Sequence, residues 1–329
     1  MRKWIIFLCQ TITLVCLTTF CIAQFKKEKF FTSTLAINSS YSMPLTNNAE
    51  KVITEHRTAL NVMIPLINHV RKGSDAGRFS IKSLQLAVRA GFIQPRYAAT
   101  FLTHDLYQLR VGLRFIYFKG GKNLFVGGAS VVQQGDQVVV RQAQINYNGY
   151  LLWHGRISNS FGINAGIVCS ENNPGIPCLP LLGFYVRKYP FSLNAFFPRS
   201  ISAAVQLNDN LELALNAQFL GYNIDLHREY YKNENFSTTG FLHRQLVISS
   251  GTEITIAKGR IVTPMIGYAI LQRVRFNNGI DNTNKNMLNN VVFSLSIALG
   301  KRYQSESTDA FKFLRSFGVG HRSFLNAIE

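Results

Sequence analysis

The chain has 329 residues, with 35 Lys and Arg against 17 Asp and Glu, for a formal charge of +18. Charged residues make up only 16% of it, against about 25% in an average soluble protein, while Phe and Tyr number 25 and 13. Beyond the N-terminal segment no run reaches about eighteen apolar residues, which excludes a helix-bundle membrane protein. No basic helix, zinc-ligand spacing or aromatic binding signature points to a nucleic-acid partner.

Arg2 and Lys3 precede a mostly apolar run from Trp4 to Phe20, and Cys21-Ile22-Ala23 places small residues before Gln24. This is the layout of a secretory signal peptide over residues 1–23, cleaved after Ala23. Gln10 and scattered threonines argue against an uncleaved anchor, and bulky Phe20 argues against a lipoprotein signal ending at Cys21. Loss of Arg2 and Lys3 takes the charge from +18 to +16. An exported chain that is poor in charge and lacks a spanning helix can still cross a membrane as a closed β-barrel. That is the other structure that pairs all its backbone groups in lipid. A secreted β-sandwich is the rival.

The segment from 24 to 303 reads as successive alternating stretches divided by turn formers. Candidate strands lie near 30–41, 57–70, 79–93, 105–118, 122–133, 140–154, 160–168, 179–187, 190–207, 210–224, 243–257, 260–275 and 288–302. In one of them Leu109, Val111, Leu113 and Phe115 oppose Gln108, Arg110, Gly112 and Arg114. In the last, Phe293, Leu295 and Ile297 oppose Ser294 and Ser296. Side chains alternate between the faces of a strand, so each segment has an apolar and a polar side. The stretches reach the roughly 9–11 residues that a tilted strand needs to cross lipid. Tyr107, Tyr117, Trp153, Phe219 and Tyr222 sit near their ends, where interfacial girdles lie. The polar sides are mostly small or amide-bearing, which suits a wet lumen better than the outside of a sandwich.

The expected fold is therefore all-β: a transmembrane antiparallel up-and-down β-barrel of about twelve strands, within a range of 10–14. Thirteen candidates conflict with the even counts of bacterial barrels, and the excess strand is sought between 119 and 198. Asn208-Asp209-Asn210 and Lys258-Gly259 are tight turns, whereas Asp225 to Leu242 and Asn277 to Met287 are long and polar. Tight turns facing the periplasm and long loops facing outward fit such barrels. Lys119-Gly120-Gly121 breaks the parity. In the tail, 304–329, Phe311, Leu314 and Phe317 at helical spacing suggest a short amphipathic helix, with a frayed end as the alternative.

Cys169 and Cys178 flank a turn-rich loop. In an oxidising compartment they read as a local disulfide, the alternative being two free thiols. The seven histidines are scattered without metal-ligand spacing, so neither a metal nor a cofactor is expected. His154 and Ser158, tested as a base and nucleophile, would share a strand face about 13 Å apart, whereas a base needs about 3 Å. His154 is expected as an interfacial strand residue, and no enzyme is expected. The polar-face arginines Arg89, Arg110, Arg114 and Arg273, with Arg275, carry the functional signal. A charge facing lipid near the midplane costs about 2–4 kcal/mol, so these should point inward. There they would attract anions, or else pair with carboxylates such as Glu212 and Glu253 and fill a closed barrel.

The strand pattern, Cys21-Ile22-Ala23-Gln24, and the stretch from Phe191-Ser192-Leu193-Asn194-Ala195-Phe196-Phe197-Pro198 through the Asn208-Asp209-Asn210 turn to Asp225 resemble a family of Gram-negative outer-membrane β-barrel proteins of unknown function. The resemblance implies a fold and an address but no activity. The tail after Tyr303 departs from barrels that stop on an aromatic residue of the last strand.

The expected function is passive transport or binding of small anionic solutes through an arginine-lined lumen. A structural or adhesive barrel without a pore is the alternative, and a lipid-modifying enzyme the second alternative. Expected partners are outer-membrane lipid, small anions and, during insertion, the barrel-assembly machinery. Fractionation tests the address. The mature chain should be recovered in the outer membrane of a Gram-negative cell with heat-modifiable mobility, and recovery as a soluble protein would overturn the barrel.

Overall fold

The computed structural model describes residues 34–44, 53–72, 79–97, 105–119, 123–135, 144–158, 160–170, 177–208, 210–225, 240–257, 260–277, 282–286 and 289–300. The expected signal peptide at 1–23 and the tail helix within 304–329 lie outside the described residues.

The strands are β1 (Thr34–Pro44), β2 (Ile53–Lys72), β3 (Phe79–Tyr97), β4 (Leu106–Lys119), β5 (Asn123–Gly135), β6 (Gln144–Arg156), β7 (Phe161–Ser170) and β8 (Cys178–Lys188), then β9 (Phe191–Phe197), β10 (Ser200–Asn208), β11 (Leu211–Asp225), β12 (Gly240–Ala257), β13 (Arg260–Asn277), β14 (Asn282–Asn286) and β15 (Asn290–Gly300). From β1 to β13 each strand pairs antiparallel with its sequence neighbours, and β13 also pairs with β14 and with β15. The ring closes where β1 meets β15, in unbroken register from Thr34↔Gly300 to Pro44↔Asn290. Inward side chains bridge this seam as well. Asn290 Nδ2 donates to Ser42 Oγ at 2.7 Å, and Ser296 Oγ donates to Asn38 Oδ1. Short β14 is an appendage on the end of β13, so among the described residues the closed barrel has fourteen strands.

Fourteen replaces the expected twelve, and the error is an omission. The stretch 190–207 is two strands, because Pro198 has no N–H with which to continue a ladder. Arg199 N donates to Phe196 O at 2.7 Å to close the turn, and β10 folds back on β9 with Ser200 opposite Phe196. The extra strand also restores the parity. The β4–β5 connection falls at the same end as the β6–β7, β8–β9 and β10–β11 turns, together with both ends of the barrel sequence at Thr34 and Gly300. Lys119 is therefore no exception to the short-turn rule. The opposite end carries the long β11–β12 connection and the β7–β8 loop bridged by the Cys169–Cys178 disulfide, and also the tight β9–β10 turn.

Apolar side chains point outward. On β4 Val111, Leu113 and Phe115 are exposed, as are Phe293, Leu295, Ile297 and Leu299 on β15. A continuous band of this kind is what lipid requires and what a water-soluble surface avoids. Trp153 lies at a strand end with Nε1 donating to Asn123 Oδ1 at 3.0 Å, and exposed Phe219 also faces out.

The interior is only partly the wet lumen that the polar faces suggest. The inward side of β4 turns apolar below Arg114, at Ile116 and Phe118. These pack with Ile81, Leu124, Val126, Leu152, Leu181, Tyr185 and Phe196 into a buried cluster. β5 and β11 are not sheet neighbours, yet their Cα atoms come within 8 Å of each other across the interior. The barrel is thus filled on its β3–β9 side.

Close strand contacts make Gly183 a sensitive test of the β8–β9 pairing. A Cβ there would collide with the carbonyl oxygen of Ala195. Gly183→Val should cost about 1–3 kcal/mol, as overpacking does, and lower the temperature at which the compact gel band is lost. An unchanged midpoint would contradict this pairing.

Candidate functional site

A cavity of about 420 Å³ lies in the interior, bounded by β1–β4 and by β8–β13 with β15. Its lining includes Arg57, Arg89, Arg110, Arg187 and Arg199 against Glu55, Glu212 and Glu253, five cations to three anions. Ser40, Asn38, Gln108, Asn194, Asn216 and Gln218 complete a polar wall. Alternation builds most of this surface, since the strand residues occupy inward positions between lipid-facing ones, while Arg199 comes from the β9–β10 turn.

Like charges sit side by side here. Arg89 and Arg110 are directly opposite in the β3–β4 register, and Glu212 and Glu253 are directly opposite in the β11–β12 register. The arginine pair lies mid-strand, and the glutamate pair lies near the short-turn rim. The two pairs stand on nearly opposite walls of the ring. Seen from the long-loop end, the arginines therefore come before the glutamates.

Towards the long-loop mouth a second group spans the lumen. Glu55 on β2 is ion-paired with Arg57, accepts a bond from Tyr222 Oη at 2.7 Å, and lies 3.3 Å from His243 Nδ1. The Arg57 guanidinium rests 4.8 Å from the Tyr222 ring centre, and the Tyr222 and His243 rings meet edge to face at 5.5 Å. Glu55, Tyr222 and His243 are all buried. A buried carboxylate is costly unless it is paired and hydrogen-bonded, and these partners from β2, β11 and β12 meet that need. Sequence reasoning missed this group. It assigned Tyr222 to the interfacial girdle, whereas Tyr222 points inward. The usable signal was Glu55 itself, one of few carboxylates on any strand.

The predicted residues divide. Arg89 and Arg110 line the cavity together. Arg114 also points inward but lies deeper, 6% exposed, with Nη1 3.9 Å from Met63 Sδ, and it is not part of the cavity wall. Arg273 corrects the expectation, because it faces outward and is exposed. A bulge at Leu271, whose φ is 52°, inserts one residue into β13 opposite β12 and reverses the faces beyond it. Cys169 and Cys178 are joined as a disulfide between opposed residues of β7 and β8. His154 is inside the barrel and fully buried, with Nδ1 2.7 Å from Asn164 Oδ1, instead of at the membrane interface. Ser158 lies in the following turn, where its Oγ accepts from Phe161 N at 3.1 Å. The structure gives the two separate partners and does not bring them together.

Residues 19–300 match the family described as a domain of unknown function, DUF6268. A comparison with curated proteins found no match. Among solved structures, the chain is similar to the COG4313 outer membrane channel from Pseudomonas putida F1, with 6% identity, 84% of this chain and 98% of that one covered, and a TM-score of 0.43. It is similar to the translocator domain of the autotransporter NalP from Neisseria meningitidis, at 9% identity, coverages of 89% and 98%, and a TM-score of 0.35. For the NanC porin the values are 9%, 80%, 98% and 0.34. Such distant likenesses concern the barrel fold alone.

The mouth group has a measurable energy. A double-mutant cycle between Glu55→Gln and Tyr222→Phe should give a coupling of about 1.5 kcal/mol, as for a hydrogen bond to a charged group. Additive losses of stability would mean that the two do not meet.

Proposed function

The chain belongs to the DUF6268 family, a domain of unknown function, and from its own geometry we propose that it binds small anionic solutes within its lumen and passes them across the outer membrane of a Gram-negative bacterium. The observation that carries this reading is the arginine excess in the cavity, centred on Arg89 opposite Arg110. Two guanidiniums side by side favour a ligand able to accept bonds from both, such as a carboxylate or phosphate. Inward arginines also bias which ions enter a barrel. The outward apolar band supports residence in lipid. On this reading the barrel acts by binding and passage, with no catalytic step.

A pore-free structural barrel is the second reading. The buried cluster of Ile116, Phe118, Leu124 and Leu152 favours it, as does the approach of β5 to β11.

Planar bilayers separate the two. Under a potassium chloride gradient the wild-type reversal potential should show anion preference, and Arg89→Gln with Arg110→Gln should move it towards neutrality. Both positions face the cavity, so the variant barrel should keep its heat-modifiable band. A wild-type barrel without current would leave the pore-free reading, and an unchanged reversal potential in the variant would remove these arginines from the function.

A further inference from the structure

The arginine that the bulge turns out of the lumen has company. Arg273 on β13 is directly opposite Arg244 on β12, and residues so paired point to the same face. Gln245 and His243, which flank Arg244, are buried inside, so both arginines face outward, where both are exposed. Arg275, two residues on, is on that outward face too. Like charges directly opposite on adjacent strands repel each other. Among the described residues, no carboxylate forms an ion pair with any of the three.

The backbone is arranged to create this pair. Below the bulge the outward positions of β13 are Pro264, Ile266 and Tyr268, while Thr263 and Ala269 are inside. Continued alternation would send Arg273 into the lumen. Leu271, left-handed at φ 52°, adds the residue that puts Gln272 and Val274 inside and Arg273 outside. That conformation is unfavourable for a leucine. Gly221, opposite Arg244, leaves room for its stem, since a Cβ there would come 3.3 Å from Arg244 Cγ.

Height identifies what the pair meets. On β12 the outward column runs from Ile256 through Ile254 and Ile248 to Leu246, and Arg244 is the next outward residue towards the long loops. From Ile256 to Leu246 a tilted strand climbs about 26 Å, the height of the apolar band of such barrels. Arg244 and Arg273 thus stand just above the band, at the level of lipid headgroups. Guanidinium forks match phosphate oxygens.

We propose that Arg244 and Arg273, flanked by Arg275, form an external site for the phosphate of an anionic lipid at the long-loop rim of the barrel. The site rests on the barrel's placement in a membrane and is independent of what the lumen carries. Native mass spectrometry of the full chain, equilibrated in detergent with equal amounts of phosphatidylglycerol and phosphatidylcholine, tests it. The wild type should retain phosphatidylglycerol preferentially. Arg244→Gln with Arg273→Gln should lower that preference about 30-fold, the expected loss for two basic residues at an anionic surface. If the double variant lacks the heat-modifiable band, either single variant serves, with an expected loss of about fivefold. A preference unchanged in folded variants would overturn the site. Equal displacement of bound lipid by the same concentration of inorganic phosphate would overturn its assignment to lipid.

Discussion

Every backbone donor and acceptor of a strand in lipid has to be paired within the protein, because the hydrocarbon offers no partner. For this chain that demand is met at the seam between β1 and β15, where eleven opposed residue pairs run from Thr34↔Gly300 to Pro44↔Asn290. Without the seam, two edge strands would be left open in a medium that cannot solvate them. With it, the distinction between inside and outside follows for every residue, since alternation then assigns Leu113 to lipid and Arg114 to the interior. The bridges from Asn290 to Ser42 and from Ser296 to Asn38 reinforce the closure from the lumen side.

The interior has a different problem. Buried charge needs partners, and apolar side chains need each other. The barrel separates the two requirements by position. Ile116, Phe118, Leu124 and Leu152 gather in one dry region, and the charged residues surround the cavity in the other. At the mouth, Glu55 draws in Arg57, Tyr222 and His243, so one carboxylate ties β2 to β11 and β12 across the lumen. Any solute reaching Arg89 and Arg110 from the long-loop side passes this group. The mouth group is thus built from side chains contributed by strands far apart in sequence.

The outer wall carries chemistry through the same backbone rules. One added residue at Leu271 converts a lumen position into a rim position and sets Arg273 beside Arg244. A single bulge thus turns an inward position outward while β13 stays paired with β12 on both sides of it.

Much of this was legible in the sequence, and the limits have a common cause. The apolar columns such as Val111, Leu113 and Phe115, the inward direction of Arg89 and Arg110, and the pairing of Cys169 with Cys178 depend on local alternation or local spacing, which the sequence determines by itself. The strand number was misread because Phe196, Phe197 and Ile201 continue an apolar run through the turn at Pro198, where only the return of β10 onto β9 reveals the break. Arg273 was misread because a bulge is a property of the backbone pairing between β12 and β13, and the alternating letters do not record it. Tyr222 suited a girdle as well as a lumen until Glu55, 167 residues away, supplied its hydrogen-bond partner. The sequence decided which residues share a strand face wherever the ladder is regular. Tertiary structure decided which faces meet across the barrel, because closure brings together strands whose separation in sequence carries no local signal.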